Sequence, residues 1–255
     1  MRKNLKKMII KFSIENVLSI KDRQTLDLSS VKTCKERSLE NTFCDNGLTL
    51  LKSVAIYGAN ASGKSNIMAA LRDFKNLILN SAKESQSGEN LRLMPFLLNP
   101  KNQDEPSSFE MEFTIAEDRY RYGFDATREK VIKEWLFKTP IGKSKESALY
   151  LRSVEKEEDV ITPGALWGDV DINGLKGKTR ANSLFLSVCA AWAVKEAEKI
   201  IRYFGDDLKI LFCENRNRRE DETTIYLKDS RNTESKTDIY IVLQSERECG
   251  YGTIF

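Results

Sequence analysis

The chain has 255 residues, 41 Lys plus Arg against 38 Asp plus Glu, a formal charge of +3, five cysteines and no histidine. This length suits one large domain or two modest lobes, and a chain of this size buries roughly 70–75% of its unfolded surface. The charge is too even to argue for nucleic acid, and the lack of histidine excludes Ser-His-Asp, Cys-His and H-E-x-x-H chemistry.

Cys34, Cys44, Cys189, Cys213 and Cys249 are scattered, with no C-x-x-C pair. That spacing suits neither a disulfide framework nor a zinc site, so reduced thiols in a cytoplasmic protein are expected. The opening MRKNLKKMIIKFSIENV has no apolar core of signal-peptide length, because lysine returns at Lys11 and glutamate at Glu15. The longest apolar region, Ser183 to Val194, falls well short of the ~20 residues a membrane span needs, so no membrane is expected as a partner.

From Met8 the chain alternates, with Ile10, Phe12 and Ile14 apolar against Lys11, Ser13 and Glu15. Leu26 and Leu28 repeat the pattern after SIKDRQT, which predicts a strand pair over 8–30. Val31 to Gly47 is polar and aperiodic and reads as a surface excursion. SVAIY, Ser53 to Tyr57, is short and apolar on both faces, the pattern of a buried parallel strand. Ile67, Leu71, Phe74 and Ile78 then recur at spacings of four and three, with Met68 widening the stripe, so a helix is expected from Lys64 to Ala82. Strand, glycine loop and helix thus follow one another over 53–82.

KESQSGEN ends that helix. FEMEFTI then sets Phe109, Met111, Phe113 and Ile115 against Glu110, Glu112 and Thr114, and RYRYGF, VIKEWLF and ALYLRSV continue the style. An antiparallel β lobe over 108–153 is expected. Glu155 to Thr179 is acidic, then glycine-rich, and reads as loop. A second, long helix is expected over 182–204, with Leu184, Val188, Trp192, Ile200 and Ile201 inward. Trp135, Trp167 and Trp192 read as packing residues rather than base-stacking platforms. Arg216, Arg218 and Arg219 are interleaved with Glu214, Glu220 and Asp221, which favours a solvated loop over a nucleic-acid contact, and Lys3, Lys6 and Lys7 read as a frayed basic end. In the polar tail, 223–255, only IYIVLQ near Ile239 has the character of a buried strand.

The densest chemistry lies between the strand and the helix. Gly58, Ala59, Asn60, Ala61, Ser62, Gly63, Lys64 and Ser65 satisfy G-x-x-x-x-G-K-[ST], the phosphate-loop (Walker A) pattern. At average residue usage its four fixed positions would coincide by chance in a chain this long only about 1% of the time. Gly58 and Gly63 permit backbone angles and close approach that a Cβ would block, so that successive N–H groups turn inward around a polyphosphate. The helix N-terminus adds partial positive charge. Lys64 would reach the β and γ phosphates, and the Ser65 hydroxyl would serve a bridging Mg²⁺.

The extended form G-x-N-x-S-G-K-S-N, Gly58 to Asn66, preceded by the hairpin IIKFSIENVLSIKDRQTLDL, resembles the ABC-like ATPases of the SMC, RecF and OLD group. It is most similar to bacterial AAA-type ATPases of unassigned cellular role, some associated with phage defence and abortive infection. LKSVAIYGANASGKSNIMAAL, MPFLLNP, PSSFEMEFTI, YRYGFDATREKVIKEWLF and NSLFLSV carry the likeness across Met8 to Phe204. The resemblance implies an α/β P-loop NTPase of ABC-like type with an antiparallel β lobe, a long helix and an incomplete sheet, occupying 1–222. It implies binding of ATP and Mg²⁺ through Gly58 to Asn66, with Ser65 on the metal. A homodimer, a C-terminal ATPase half and an effector protein are the partners the resemblance implies, with nucleic acid left open.

Relatives complete their hydrolytic site with a strand ending in Asp-Glu, a signature serine and a switch histidine, all in a C-terminal half. KILFCEN ends in Glu214 without a preceding aspartate, IYIVLQSE reaches Glu246 through glutamine and serine, and histidine is absent. No catalytic residue is therefore assigned. The sequence reads as an N-terminal portion whose ending is truncated or altered, an expectation that a locus with no continuing ATPase reading frame would count against. Two other functions stay open. One is a non-hydrolysing, nucleotide-dependent interaction protein; the other is a GTPase switch, since SKTD (Ser235 to Asp238) is similar to N-K-x-D and DING (Asp171 to Gly174) to D-x-x-G, although neither follows a clear apolar strand.

Overall fold

The computed structural model describes residues 7–31, 38–45, 47–59, 61–83, 88–140, 143–155, 158–168, 170–211 and 239–242. In chain order, β1 (Lys7–Glu15) and β2 (Gln24–Asp27) precede α1 (Ser38–Asn41) and the hairpin of β3 (Thr42–Asp45) and β4 (Leu48–Leu51). Then come α2 (Lys64–Asn80), α3 (Pro100–Gln103), β5 (Ser107–Ile115), β6 (Asp118–Ala126), β7 (Val131–Thr139), β8 (Ser147–Glu155) and β9 (Glu158–Pro163). A 3₁₀ turn (Ala165–Trp167), α4 (Ile172–Lys176), α5 (Phe185–Ala191), α6 (Lys195–Arg202), a π-helical turn (Tyr203–Asp207), β10 (Leu208–Leu211) and β11 (Ile239–Val242) follow.

The alternation read at both ends of this pattern belongs to one sheet. Its order is β2-β1-β5-β6-β7-β8-β9, antiparallel throughout, so the opening strand pair and the later lobe are continuous rather than separate. The reason lies in β1, whose middle residues are buried on both faces. Ile9, Phe12 and Ile14 enter the main core, while Met8 and Ile10 on the opposite face pack with Leu50, Phe43 and Leu48 of the β3–β4 hairpin. The hairpin occupies part of the span read as a surface excursion, because its apolar residues are few and gain their meaning only against β1.

Helices cover the main face. Phe74, in the middle of α2, has ring centroids 5.5 Å from Phe12, 6.0 Å from Phe109, 6.0 Å from Tyr122 and 5.5 Å from Phe124. It also meets the edge of Phe204, whose neighbour Tyr203 stacks on Phe113. Aromatic pairs of this kind add to the burial of large apolar surface. The C-terminal end of α2 is stitched to α5: the Ser187 hydroxyl donates to the Ile78 carbonyl, the Ser183 hydroxyl to the Ser81 carbonyl, and the Leu184 N–H to Ser81 Oγ. These hydroxyls occupy carbonyls that a helix end leaves without intrahelical partners.

Two expected elements come out differently. The helix over 182–204 is broken at Trp192, Ala193 and Val194, and Trp192 is 56% exposed instead of inward. Val194 N–H bonds to the Cys189 carbonyl and Ala193 N–H to the Ala190 carbonyl, with Ala193 at φ 59. This is the Schellman arrangement with alanine in the left-handed position where glycine is usual. An exposed alanine there carries a steric cost, so Ala193→Gly is expected to stabilise the chain by about 1 kcal/mol, measured by urea unfolding. Within the span read as loop, the chain forms β9, the 3₁₀ turn and α4; Asp171 accepts from the Gly174 N–H at 2.9 Å, so the D-x-x-G stretch serves as a helix cap.

The strand expected at Ser53 to Tyr57 is also absent as a strand. The segment belongs to no sheet among the described residues, and Val54 is 42% and Tyr57 88% exposed. Apolar character does not make a strand unless a neighbouring backbone pairs with it. A short parallel pair does form further on, where β10 lies in register with β11, Leu208 opposite Ile239, and Lys75 of α2 donates to the Leu208 carbonyl at 2.7 Å. The rest of the polar tail, including SKTD, and the ends of KILFCEN and IYIVLQSE lie outside the described residues, as do Cys34, Cys213 and Cys249. Cys44 Sγ lies 3.4 Å from Thr49 Oγ1, and burial pushes the Cys189 thiol pKa upward. No described helix is long and apolar enough to cross a membrane.

A charged network ties α6 to the sheet. Lys138 Nζ lies 2.9 Å from both Asp118 and Glu196, and Lys199 donates to Asp118 and to the Tyr120 hydroxyl. Burial pushes the Asp118 carboxyl up, but hydrogen bonds and charge from Lys138 and Lys199 outweigh it and leave the group below its usual 3.8. Glu196 behaves alike, burial being outweighed by Tyr120 and Lys138. A carboxyl depressed in the folded state contributes stability above its unfolded pKa and loses it as pH falls through the folded value. Asp118→Asn should therefore lose less stability than the parent chain between pH ~5 and ~3 in urea unfolding.

Candidate functional site

The Gly58 to Asn66 loop enters α2, a helix of 17 residues with no side-chain cap at its N-terminus. Gly63 stands at the junction with φ 90 and ψ 3, a left-handed conformation that an L side chain rarely adopts. Asn66 and Ile67 both direct their N–H groups at the Gly63 carbonyl, at 2.9 and 3.3 Å, and so close the first turn. On the approach, Ala61 is left-handed as well, and the Ser62 N–H reaches the Ala59 carbonyl at 3.2 Å. Gly58 faces this turn: a Cβ there would sit 2.8 Å from Ser62 Oγ. The two fixed glycines of the motif thus have separate reasons, one of space and one of handedness.

Lys64 folds back over the loop. Its ammonium donates to the carbonyls of Gly58 at 2.6 Å and Ala59 at 2.7 Å, with Ser62 Oγ at 3.5 Å. Ser62 and Ser65 are exposed, and Lys64 is partly so. The arrangement gathers an ammonium and two hydroxyls at the positive end of a helix, a chemistry suited to a multiply charged anion. Asn60, assigned to the loop by the motif, lies outside the described residues.

Sequence reasoning missed the residue that the loop leans on. Asn66 Nδ2 donates to Ser19 Oγ at 2.7 Å, and a Cβ on Gly63 would stand 3.1 Å from that same oxygen. Ser19 belongs to the turn joining β1 to β2, where Val17 and Ile20 exchange backbone hydrogen bonds and Leu18 donates to the Met94 carbonyl. Asn16 anchors this turn through its buried amide, which donates to the carbonyls of Asn102 and Glu105 and accepts from the Phe96 N–H. ENVLSI and MPFLLNP are therefore adjoining pieces of one support. A serine in a turn has no periodic signal, and its partner lies 47 residues away.

Fold and loop together define an α/β chain in which a phosphate-loop motif opens a helix packed on an antiparallel sheet. Residues 53–166 match the family model described as "AAA domain, putative AbiEii toxin, Type IV TA system". The chain is thus similar to AAA-type ATPases over a span holding the loop, α2 and β5 through β9. No curated protein and no solved structure matches it.

Proposed function

We propose that this chain binds ATP with Mg²⁺ through Gly58 to Asn66, as a distant relative of the ABC-like group of AAA-type ATPases. The observation that carries the reading is the loop itself: a motif glycine in the left-handed conformation at the head of an uncapped helix, with the motif lysine beside it. Backbone N–H groups and Lys64 would hold the phosphates, and Ser65 would meet the metal, which supplies charge neutralisation between them. Lys64 has two carbonyl partners in the free loop, so binding would exchange these for phosphate oxygens at little reorganisation of the stem.

The reading concerns binding, not turnover. Stretches that could supply a hydrolytic carboxylate, around Glu214 and Glu246, offer no Asp-Glu pair. A role in phage defence, a dimer or C-terminal half closing over the nucleotide, an effector, and a cytoplasmic setting belong to the same proposal and rest on likeness alone. Equilibrium dialysis of the intact chain with ATP, with and without Mg²⁺, tests it. Saturable binding that weakens on chelation of the metal is expected, and an absence of saturable binding at millimolar ATP would overturn the reading. GTP competing as well as ATP would favour the switch alternative.

A further inference from the structure

We infer that Ser19 is a positioning residue for the phosphate loop, an inference that rests on the reading of that loop as a nucleotide site. A hydrogen bond and a close backbone approach converge on its hydroxyl oxygen. Asn66 in the first turn of α2 donates to it at 2.7 Å, and Gly63 approaches so closely that a Cβ would lie 3.1 Å away. The bond ties the helix start to the β1–β2 turn; the approach limits how near Gly63 can come to that turn.

Ser19 can serve as a reference point because its own backbone is held. Asn16 and Leu18 are both left-handed, at φ 53 and 54, and the reciprocal Val17–Ile20 bonds close the turn between β1 and β2. The Leu18 N–H is tied to Met94, the Asn16 N–H to Lys21, and the Ser107 hydroxyl to the Asn16 carbonyl. A left-handed residue without glycine persists only where its surroundings over-determine it. The serine thus stands on the sheet's own frame, whereas the Ser53 to Ala59 approach has no strand partner among the described residues. Among the described residues, the loop is held by α2 on one side and meets Ser19 on the other.

The test uses the intact chain and two readouts. Hydrogen exchange of the Asn66 and Ile67 amides, in the free protein, should quicken about fivefold in Ser19→Ala and stay near the parent rate in Ser19→Thr, as expected for one net hydrogen bond. ATP affinity should fall by a similar factor in Ser19→Ala, recover in Ser19→Thr, and fall no further when Asn66→Ala is added to Ser19→Ala. The thermal midpoint without nucleotide should stay within about 2 °C of the parent chain, since the bond is exposed. Unchanged exchange in Ser19→Ala, or strictly additive losses in the double variant, would overturn the inference. If the parent chain binds no ATP while Ser19→Ala still loosens the loop, the nucleotide reading fails and the positioning role stands.

Discussion

Replacing Glu134 with alanine is expected to destabilise the chain by about 3–5 kcal/mol, the largest single loss we foresee. Glu134 lies in the middle of β7 and is 1% exposed. One carboxylate oxygen accepts from Tyr150 at 2.6 Å, Tyr122 at 3.0 Å and the Leu186 N–H at 3.0 Å; the other accepts from the Phe185 N–H at 2.7 Å. Arg152 Nη1 stands 3.5 Å away and donates to the Ser183 carbonyl, while Nε and Nη2 of the same guanidinium donate to Asp159. The carboxylate therefore joins β6, β7, β8 and the start of α5 at one buried point.

Truncation would leave two phenols, two N–H groups and part of a guanidinium charge without their acceptor. An unsatisfied buried donor costs more than the bond contributed when formed. Against a typical domain stability of ~5–15 kcal/mol this removes about a fifth or more. Glu134→Gln keeps the shape but offers one accepting oxygen in place of two, so an intermediate loss is expected, and Tyr150→Phe should cost only about 1 kcal/mol. Urea unfolding of the three variants checks the order. Burial first, and then the negative charge of Glu134, push the Tyr122 and Tyr150 hydroxyls well above their ordinary pKa, so both remain donors through neutral pH. Their protonated forms favour the fold below pH ~10, and stability should fall as pH rises past that value.

The same carboxylate shows what the sequence could and could not disclose. The alternation of β5 was legible because Phe109, Met111 and Phe113 repeat every second residue. Within VIKEWLF, however, Glu134 occupies a buried position, and period alone cannot tell an inward carboxylate from an outward one. NSLFLSV reads in the sequence as the start of a helix with Leu184 and Val188 inward. Its order is explained in three dimensions, where Ser183 and Ser187 serve the end of α2 while Phe185 and Leu186 offer their N–H groups to Glu134. The break at Ala193 was invisible because alanine continues helices far more often than it ends them. SVAIY has the composition of a buried strand, yet it forms none among the described residues, where no neighbouring backbone pairs with it. The phosphate-loop motif is readable in the sequence because its pattern is local, whereas Ser19 emerges only through the approach of a distant turn.

Lys64→Ala should lower ATP affinity by at least about a hundredfold, measured by the same dialysis that detects binding in the parent chain. The ammonium is a compact charge on a flexible stem, suited to a phosphate as a point charge rather than as a planar fork. Its removal acts twice. The direct loss is the attraction between Lys64 and the β and γ phosphates, which in a partly desolvated loop is worth several-fold more than the same pair in water. A smaller effect runs the other way, since the bonds from Lys64 to the Gly58 and Ala59 carbonyls are given up on binding and their removal spares that cost. Lys64→Arg separates charge from fit: it retains positive charge but brings a broader, planar head to a place where the Lys64 stem already passes near Gly58. A loss in Lys64→Arg nearly as large as in Lys64→Ala would show that fit within the loop governs affinity. A much smaller one would assign it to charge. Binding left intact by Lys64→Ala would remove Gly58 to Asn66 as the nucleotide site, whatever the motif promises.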